Sequence, residues 1–299
     1  MDTGNAVVIK NLTKRYSGFL LDHISFEIPW GSIVGFIGEN GAGKSTTIRA
    51  ILGLMPVDEG EIDLAGCSVC GAGSDDKWRE QVGVVFDECN FPTELKVKDI
   101  GTSMRYVFPK WEEKVFEDYL DRFEIPRDKK TKELSKGMKM KLSIAVALSH
   151  HSRILILDEA TSGLDPVVRN EILDLFQEFV EDGRHAVFLS SHITSDIEKI
   201  ADYIILIHKG RLLLHENKDE LIYHYGIVRG TKGQIAKIPK ELIKGKWENS
   251  FETSVLVKDK SRFERGGLES LKGSPQEAEP VLDKAGIEDI LMYMVKAEG

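Results

Sequence analysis

The run Gly38-Glu39-Asn40-Gly41-Ala42-Gly43-Lys44-Ser45-Thr46 constrains this chain more than any other stretch. Its glycines at 38 and 43 and its Lys-Ser pair at 44 and 45 have the spacing of a phosphate-binding loop. The preceding residues, Ser32 to Ile37, are apolar and partly β-branched, which predicts a buried strand. From Thr46 to Leu54 the apolar residues recur at helical spacing. A strand, a Gly-rich turn and a helix start together form the setting in which backbone N–H groups of Gly41, Gly43, Lys44 and Ser45 converge on an anion at the positive end of a helix dipole. Lys44 is expected to reach the outer phosphates and the Ser45 hydroxyl to face Mg²⁺. Gly38, Asn40, Ala42 and Thr46 complete the expected phosphate contacts. These residues imply a bound nucleoside triphosphate.

At 299 residues there is room for one large domain and a smaller one. With 41% hydrophobic and 30% charged residues, the composition is that of a globular protein. No apolar run approaches the roughly 18 residues of a transmembrane helix. The start, Met1 to Asn5, lacks a basic region followed by an apolar one, so no export signal is expected. A net charge of −9 argues against nucleic acid as the main partner. Cys67, Cys70 and Cys89 are an odd set, and the Cys67-Ser-Val-Cys70 pair has no second pair or nearby histidine to complete a zinc site. They are expected to be plain cysteines of a cytosolic protein, the first two at a hairpin between Gly66 and Gly71.

Along the chain, residues 6–30 alternate apolar and polar, predicting antiparallel strands, with Tyr16 standing between them. Gly60–Leu64 and Val82–Phe86 are further expected strands. From about Glu88 the apolar spacing turns helical (Val115, Tyr119, Leu120, Phe123), predicting a helical subdomain over about 88–150. Within it, Ser135 stands before a helix expected over Lys139–Leu148, as a cap or as the opening of a second anion-binding helix start with Gly137. Arg153 to Glu159 reads as an apolar strand ending in two acids, an expensive arrangement unless the carboxylates handle a cation or a proton. Asp158 suits Mg²⁺ and Glu159 suits activation of a water. Ser162 to Pro166 forms a turn before a helix over Val167–Val180. Ala186–Leu189 is a buried strand whose following loop, Ser190-Ser191-His192, lies at the same sheet edge as Asp158. Tyr203–Ile207 and Arg211–Leu214 close the block. The segment 226–299 reads as a small appended α/β module, with a strand at Ser254–Val257 and a loop rich in Gly, Ser and Pro around 266–275. Its last helix carries Ile287, Ile290, Leu291, Met294 and Val295 on a core-facing stripe.

In order, Tyr16, the phosphate loop, Leu134-Ser-Lys-Gly-Met138, Ile154–Glu159, Ser162–Asp165 and His192 resemble the ATP-binding cassette (ABC) family over residues 6 to about 220. The resemblance implies an α/β P-loop NTPase: a RecA-like core with an antiparallel β edge and a helical subdomain, over residues 1–222, with the C-terminal module over 226–299. It implies ATP and Mg²⁺, with Tyr16 stacked on adenine, Lys44 and Ser45 on phosphate and metal, and Asp158 positioning the metal. Glu159 would polarise the attacking water, His192 would contact the γ-phosphate, and Asp165 would communicate across an interface. Two cassettes pair head to tail, as a homodimer or with a paralogue, so that Ser135 and Gly137 of one complete the site of the other.

Two departures stand out. The signature usually reads Leu-Ser-Gly-Gly-Gln, and here Lys136 and Met138 replace the middle glycine and the glutamine. Asp87, in Val84-Val-Phe-Asp87-Glu88, stands where the family has a glutamine, and offers an oxygen ligand for Mg²⁺. Together with the C-terminal extension, this variant resembles ATPases of bacterial ABC-2-type exporters of antibiotics and amphipathic peptides such as phenol-soluble modulins. That implies a separate membrane subunit and a place on the cytoplasmic face of the membrane. Phe86, Phe91, Tyr106, Val107 and Phe108 are expected to form an exposed aromatic groove for a helix of that subunit. The competing class is a soluble cassette acting on ribosomes or DNA. Such proteins carry two cassettes or a long coiled coil, and this chain shows one cassette and no sustained heptads. A simple P-loop kinase would have no use for Ser135, Asp165 and His192 together.

Overall fold

The computed structural model describes residues 4–70, 76–248, 253–273 and 277–298. In chain order the first elements are β1 (Asn5–Tyr16), β2 (Phe19–Pro29), β3 (Ile33–Ile37), α1 (Lys44–Ile51), β4 (Glu59–Leu64), β5 (Cys67–Ser68) and β6 (Val82–Phe86). Then come α2 (Val97–Met104), α3 (Glu113–Arg122), α4 (Lys136–Leu148), β7 (Ile154–Asp158), α5 (Pro166–Val180), β8 (Ala186–Ser191), α6 (Thr194–Ile200), β9 (Tyr203–His208) and β10 (Arg211–Asn217). The rest comprises α7 (Lys218–His224), β11 (Tyr225–Gly230), α8 (Lys232–Ile235), β12 (Ile243–Glu248), β13 (Thr253–Lys258), β14 (Val281–Lys284) and α9 (Ile287–Ala297).

Alternation in the first 30 residues gives what period-2 patterning demands: β1 pairs antiparallel with β2 and β4 in a sheet of order β2-β1-β4-β5. The second sheet, β10-β9-β3-β8-β7-β6, has parallel pairs throughout β9-β3-β8-β7-β6. Its central strand β3 is buried at every residue, as expected where helices cover both faces of a parallel sheet. The two sheets meet through Phe26 of β2 and the rings of Phe36 and Phe188, with centroids 5.2 to 6.0 Å apart. Ring pairs of this kind add about 0.5–1.5 kcal/mol each beyond their buried area. The parallel register sets Phe86 beside Asp158 and Asp158 beside Ser190, with Ile37 beside Ser191. The carboxyl ends of four strands therefore stand level, the place where open α/β sheets collect ligands.

Helices α2, α3 and α4 form the expected helical insert, with Val97, Ile100, Phe116, Leu120 and Met140 buried. Boundaries shift by a few residues. α4 starts at Lys136 rather than Lys139, because Ser135 Oγ accepts from Met138 N and so caps the helix three residues earlier. α5 starts at Pro166, its N1 position. Ser190 and Ser191, expected in a loop, are the buried last residues of β8. Cys67 ends a tight turn in which Ala65 and Gly66 both have positive φ, as a two-residue hairpin requires. Cys67 and Cys70 are free and partly buried against the core. Gly71, and residues 274–275 of the expected C-terminal loop, lie outside the described residues.

Contacts divide the chain into Met1–His215 and Glu216–Gly299, so α7, counted with the cassette on sequence grounds, falls in the second unit. In that unit the antiparallel sheet β12-β13-β11-β14 is covered by α9. Ile287, Ile290, Leu291 and Met294 of α9 are buried, while Val295 is half-exposed. Tyr293 Oη donates to the buried Ser254 Oγ at 2.7 Å. Val228, Val255, Val257, Ile235 and Phe263 belong to one apolar cluster of this unit.

Candidate functional site

The loop between β3 and α1 is built on close approach. A Cβ at Gly38 would lie 2.5 Å from the Ile207 carbonyl oxygen, and Gly43 adopts φ of +117° with Phe19 Cζ 3.1 Å from where its Cβ would be. Neither position tolerates a side chain without moving backbone or ring. No side chain caps α1, and its first turn holds no acid, so the helix presents its positive end and orphan N–H groups to the cleft. Lys44 is 6% exposed and donates to Gly38 O at 2.7 Å and Glu39 O at 3.4 Å. Its Nζ also lies 3.5 Å from Glu159 Oε1.

Glu159 follows β7 with φ of +55°, left-handed backbone that costs an ordinary residue about 1–3 kcal/mol. Its N–H donates to Ser190 O at 3.1 Å, which fixes the bend. The consequence is that Glu159 faces away from Asp158: Oε1 toward Lys44, and Oε2 accepting from His192 Nδ1 at 2.5 Å. Asp158 stays at the strand end, where Ser190 Oγ donates to its Oδ1 at 2.6 Å. Its Oδ2 has no hydrogen bond or ion pair among the described residues.

A cleft of about 550 Å³ brings together Asn40, Gly41, Gly43, Lys44, Ser45, Thr46, Asp87, Glu159 and His192. Gly38 and Ala42 are buried beneath it. Tyr16 is not on its wall: the ring is 49% exposed, with its hydroxyl 3.5 Å from Met55 Sδ. The aromatic side chain that lines the cleft is Phe19, which pairs with Tyr16 across the turn between β1 and β2. Phe19 is a cleft residue that sequence reasoning missed; Glu39 and Ser162 also line the cleft, read from the sequence only as members of their motifs and not as contacts. Only the inward alternation of Phe19 with Leu21 could have signalled the first.

Ser135, Gly137 and Asp165 do not line this cleft. Ser135 caps α4, and Asp165 Oδ1 accepts from Val167 and Val168 N–H at 3.1 Å each, capping α5. Among the described residues, no cluster of three or more His, Cys, Asp or Glu side chains could hold a metal by itself. Ser45 and Asp87 line the cleft, while Asp158 does not line it and stands at the end of β7; a hydroxyl and carboxylates are donors of the type Mg²⁺ takes when phosphate and water complete its shell.

An ABC transporter domain matches residues 21–162. The bacitracin transport ATP-binding protein of Bacillus licheniformis is 33% identical over 206 residues, covering 68% of this chain and 67% of that protein. A lantibiotic transport ATP-binding protein of Streptococcus pyogenes is 31% identical over 224 residues, covering 71% and 90%. Among solved structures, cbiO1 of Clostridium perfringens, part of the ABC transporter complex cbiONQ, is 28% identical with a TM-score of 0.63, covering 73% of this chain and 91% of that one. Among the described residues no helix is long and apolar enough to cross a membrane. Fold, motif order and similarity agree: the chain belongs to the ABC transporter family, as an ATP-binding, ATP-hydrolysing cassette subunit of a transporter.

Proposed function

We propose that the chain energises export of an amphipathic peptide or antibiotic-like cargo, docked at the cytoplasmic face on a separate membrane-spanning subunit. The observation that carries the direction and cargo class is the similarity to bacitracin and lantibiotic transport ATP-binding proteins. In the cleft, Lys44 leaves the Gly38 carbonyl for the outer phosphates of ATP. Glu159 takes the proton of the attacking water, held in place by the His192 Nδ1 bond and the Lys44 charge. Ser45, Asp158 and Asp87 would hold Mg²⁺, whose chemistry is neutralisation of phosphate charge. Phe19 contributes the apolar wall for the nucleoside, alone or with Tyr16. Ser135 and Gly137 act on nucleotide held by a second cassette, a homodimer partner or paralogue, and Asp165 orders α5 beside that interface.

Docking is supported by a groove of about 500 Å³ whose walls include Leu54, Trp78, Val84, Phe86, Val107 and Phe108. Phe91 lines an adjoining recess instead, and Tyr106 is 86% exposed. A bare apolar trough of this kind fits an amphipathic partner helix. The test uses vesicles holding the membrane subunit and this chain. Amphipathic peptides of the bacitracin or lantibiotic type should stimulate ATP turnover and accumulate on the side away from the cassette. Unchanged turnover, with the chain recovered on a non-membrane partner, would favour a soluble ABC ATPase instead.

A further inference from the structure

Buried polar side-chain atoms without a partner are rare in folded chains, and five occur among the described residues. Two of the five are complementary: Arg169 Nε, a donor, and Asp196 Oδ2, an acceptor. Arg169 lies one helical turn into α5, where its backbone N–H donates to Asp165 O at 3.0 Å. Asp196 lies in the first turn of α6, just after the loop that carries His192. The guanidinium therefore stands between two segments that the site uses, the Ser162–Asp165 turn and the His192 loop.

The bonds Arg169 makes are weak ones for such a group. Its Nη2 donates to the Leu164 carbonyl at 3.3 Å, and its Nη1 lies 3.9 Å from Asp196 Oδ1, too far for a hydrogen bond. Asp196 is 3% exposed, and its one ion pair among the described residues is this long contact. A buried carboxylate oxygen left unbonded is costly, and so is a buried guanidinium N–H. A guanidinium fork on a carboxylate, with two parallel N–H···O bonds, satisfies both at once. To make that pair through Nε the rigid guanidinium has to rotate, and the rotation draws Nη2 off the Leu164 carbonyl. The pairing that would satisfy both orphans thus competes with a bond to the turn that holds Asp165.

We propose that Arg169 is a positioning residue with two settings: in one it holds the Leu164 carbonyl and the Asp165 turn, and in the other it closes on Asp196 and releases that turn. Nucleotide selects between them through His192, whose Nδ1 is bonded here to Glu159 Oε2 at 2.5 Å. A γ-phosphate that draws His192 off Glu159 displaces the start of α6, and Asp196 moves with it onto the guanidinium. The ligand then has the differential contact with the two settings that a population shift requires. The trigger rests on the proposed role of His192 as a phosphate contact; the pairing of Arg169 with Asp196 does not.

The side-chain Nε–H magnetic resonance signal of Arg169 in the full chain reads the setting directly, and its loss in Arg169→Lys identifies it. On saturation with Mg²⁺ and a non-hydrolysable ATP analogue, the signal should shift downfield. It should also exchange with water about tenfold more slowly, the protection of one charge-assisted hydrogen bond. Asp196→Asn, with analogue binding followed in the same sample, should abolish the response, and Asp196→Glu, which keeps the charge, should retain it. A wild-type signal that ignores bound analogue overturns the switch, as does a response that survives Asp196→Asn. If His192→Ala responds like the wild type while Asp196→Asn does not, the pair stands and the reading of His192 as its trigger is overturned.

Discussion

At the scale of single residues, the account turns on which side chains face ATP and which hold the loop. Phe19 does one or both: it lines the cleft, and its Cζ stands 3.1 Å from where a Cβ of Gly43 would be. Tripolyphosphate separates the roles because it has phosphates but no nucleoside. Phe19→Ala should weaken ATP binding about tenfold and leave tripolyphosphate binding within twofold, a loss equal to one stacked or apolar contact of about 1–3 kcal/mol. Equal losses for both ligands would mean that Phe19 only supports the loop. That Lys44, Ser45, Glu159 and His192 share one cleft was legible in the sequence because their motifs follow strand ends; Asp158, read from the same strand, does not line it. Phe19 was not, because one apolar residue in an alternating strand looks the same whether it faces core or cleft. The left-handed bend at Glu159 was equally hidden, since nothing about a glutamate announces positive φ.

At the scale of elements, the helical insert holds a buried base. His150, just beyond α4, stacks on Phe108 with centroids 4.0 Å apart and planes 4° off parallel. Burial holds its pKa down at about 4, and backbone hydrogen bonds at Glu80 and at its own position offset only part of that. The unfolded chain therefore binds the proton more readily, at the ordinary value near 6.5. Stability contributed by neutral His150 is complete above about pH 6.5 and is lost as pH falls toward 4, by about 3 kcal/mol at most. His150→Phe keeps the stack and removes the titration, so its melting temperature should fall less between pH 7 and 5 than that of the wild type. Parallel curves would show that His150 does not titrate across folding. The insert itself was legible from its 3.6-residue spacing. The early start of α4 was not, because Ser135 was open to two uses, cap and phosphate contact, and the structure shows the first while leaving the hydroxyl exposed. In the insert groove, Phe108→Ala should weaken assembly with the membrane subunit, read as its yield in co-purification, and leave ATP affinity unchanged.

At the scale of the whole molecule, this chain's own cleft holds the phosphate loop, Glu159 and His192, while Ser135, Gly137 and Asp165 lie off its walls. That separation is what a site shared between two cassettes requires. A Lys44→Ala chain mixed with a Ser135→Arg chain should regain one intact composite site in each mixed dimer, with ATPase above either variant alone. Mixed dimers that form yet stay as inactive as the separate variants would contradict independent trans sites. The cassette's order of strands and motifs was readable because each motif sits at a turn in the chain. The sheet of the second unit was not, because glycines and charged residues interrupt β11 and β12, β14 has only four residues, and β13 alone shows a continuous apolar run. The most direct test of the chemistry is single-turnover and steady-state hydrolysis by Glu159→Gln beside equilibrium ATP binding. The geometry predicts retained ATP affinity with turnover down by about 10²–10⁴-fold, the contribution of a positioned general base. Hydrolysis at the wild-type rate would contradict it and remove Glu159 from the proton transfer.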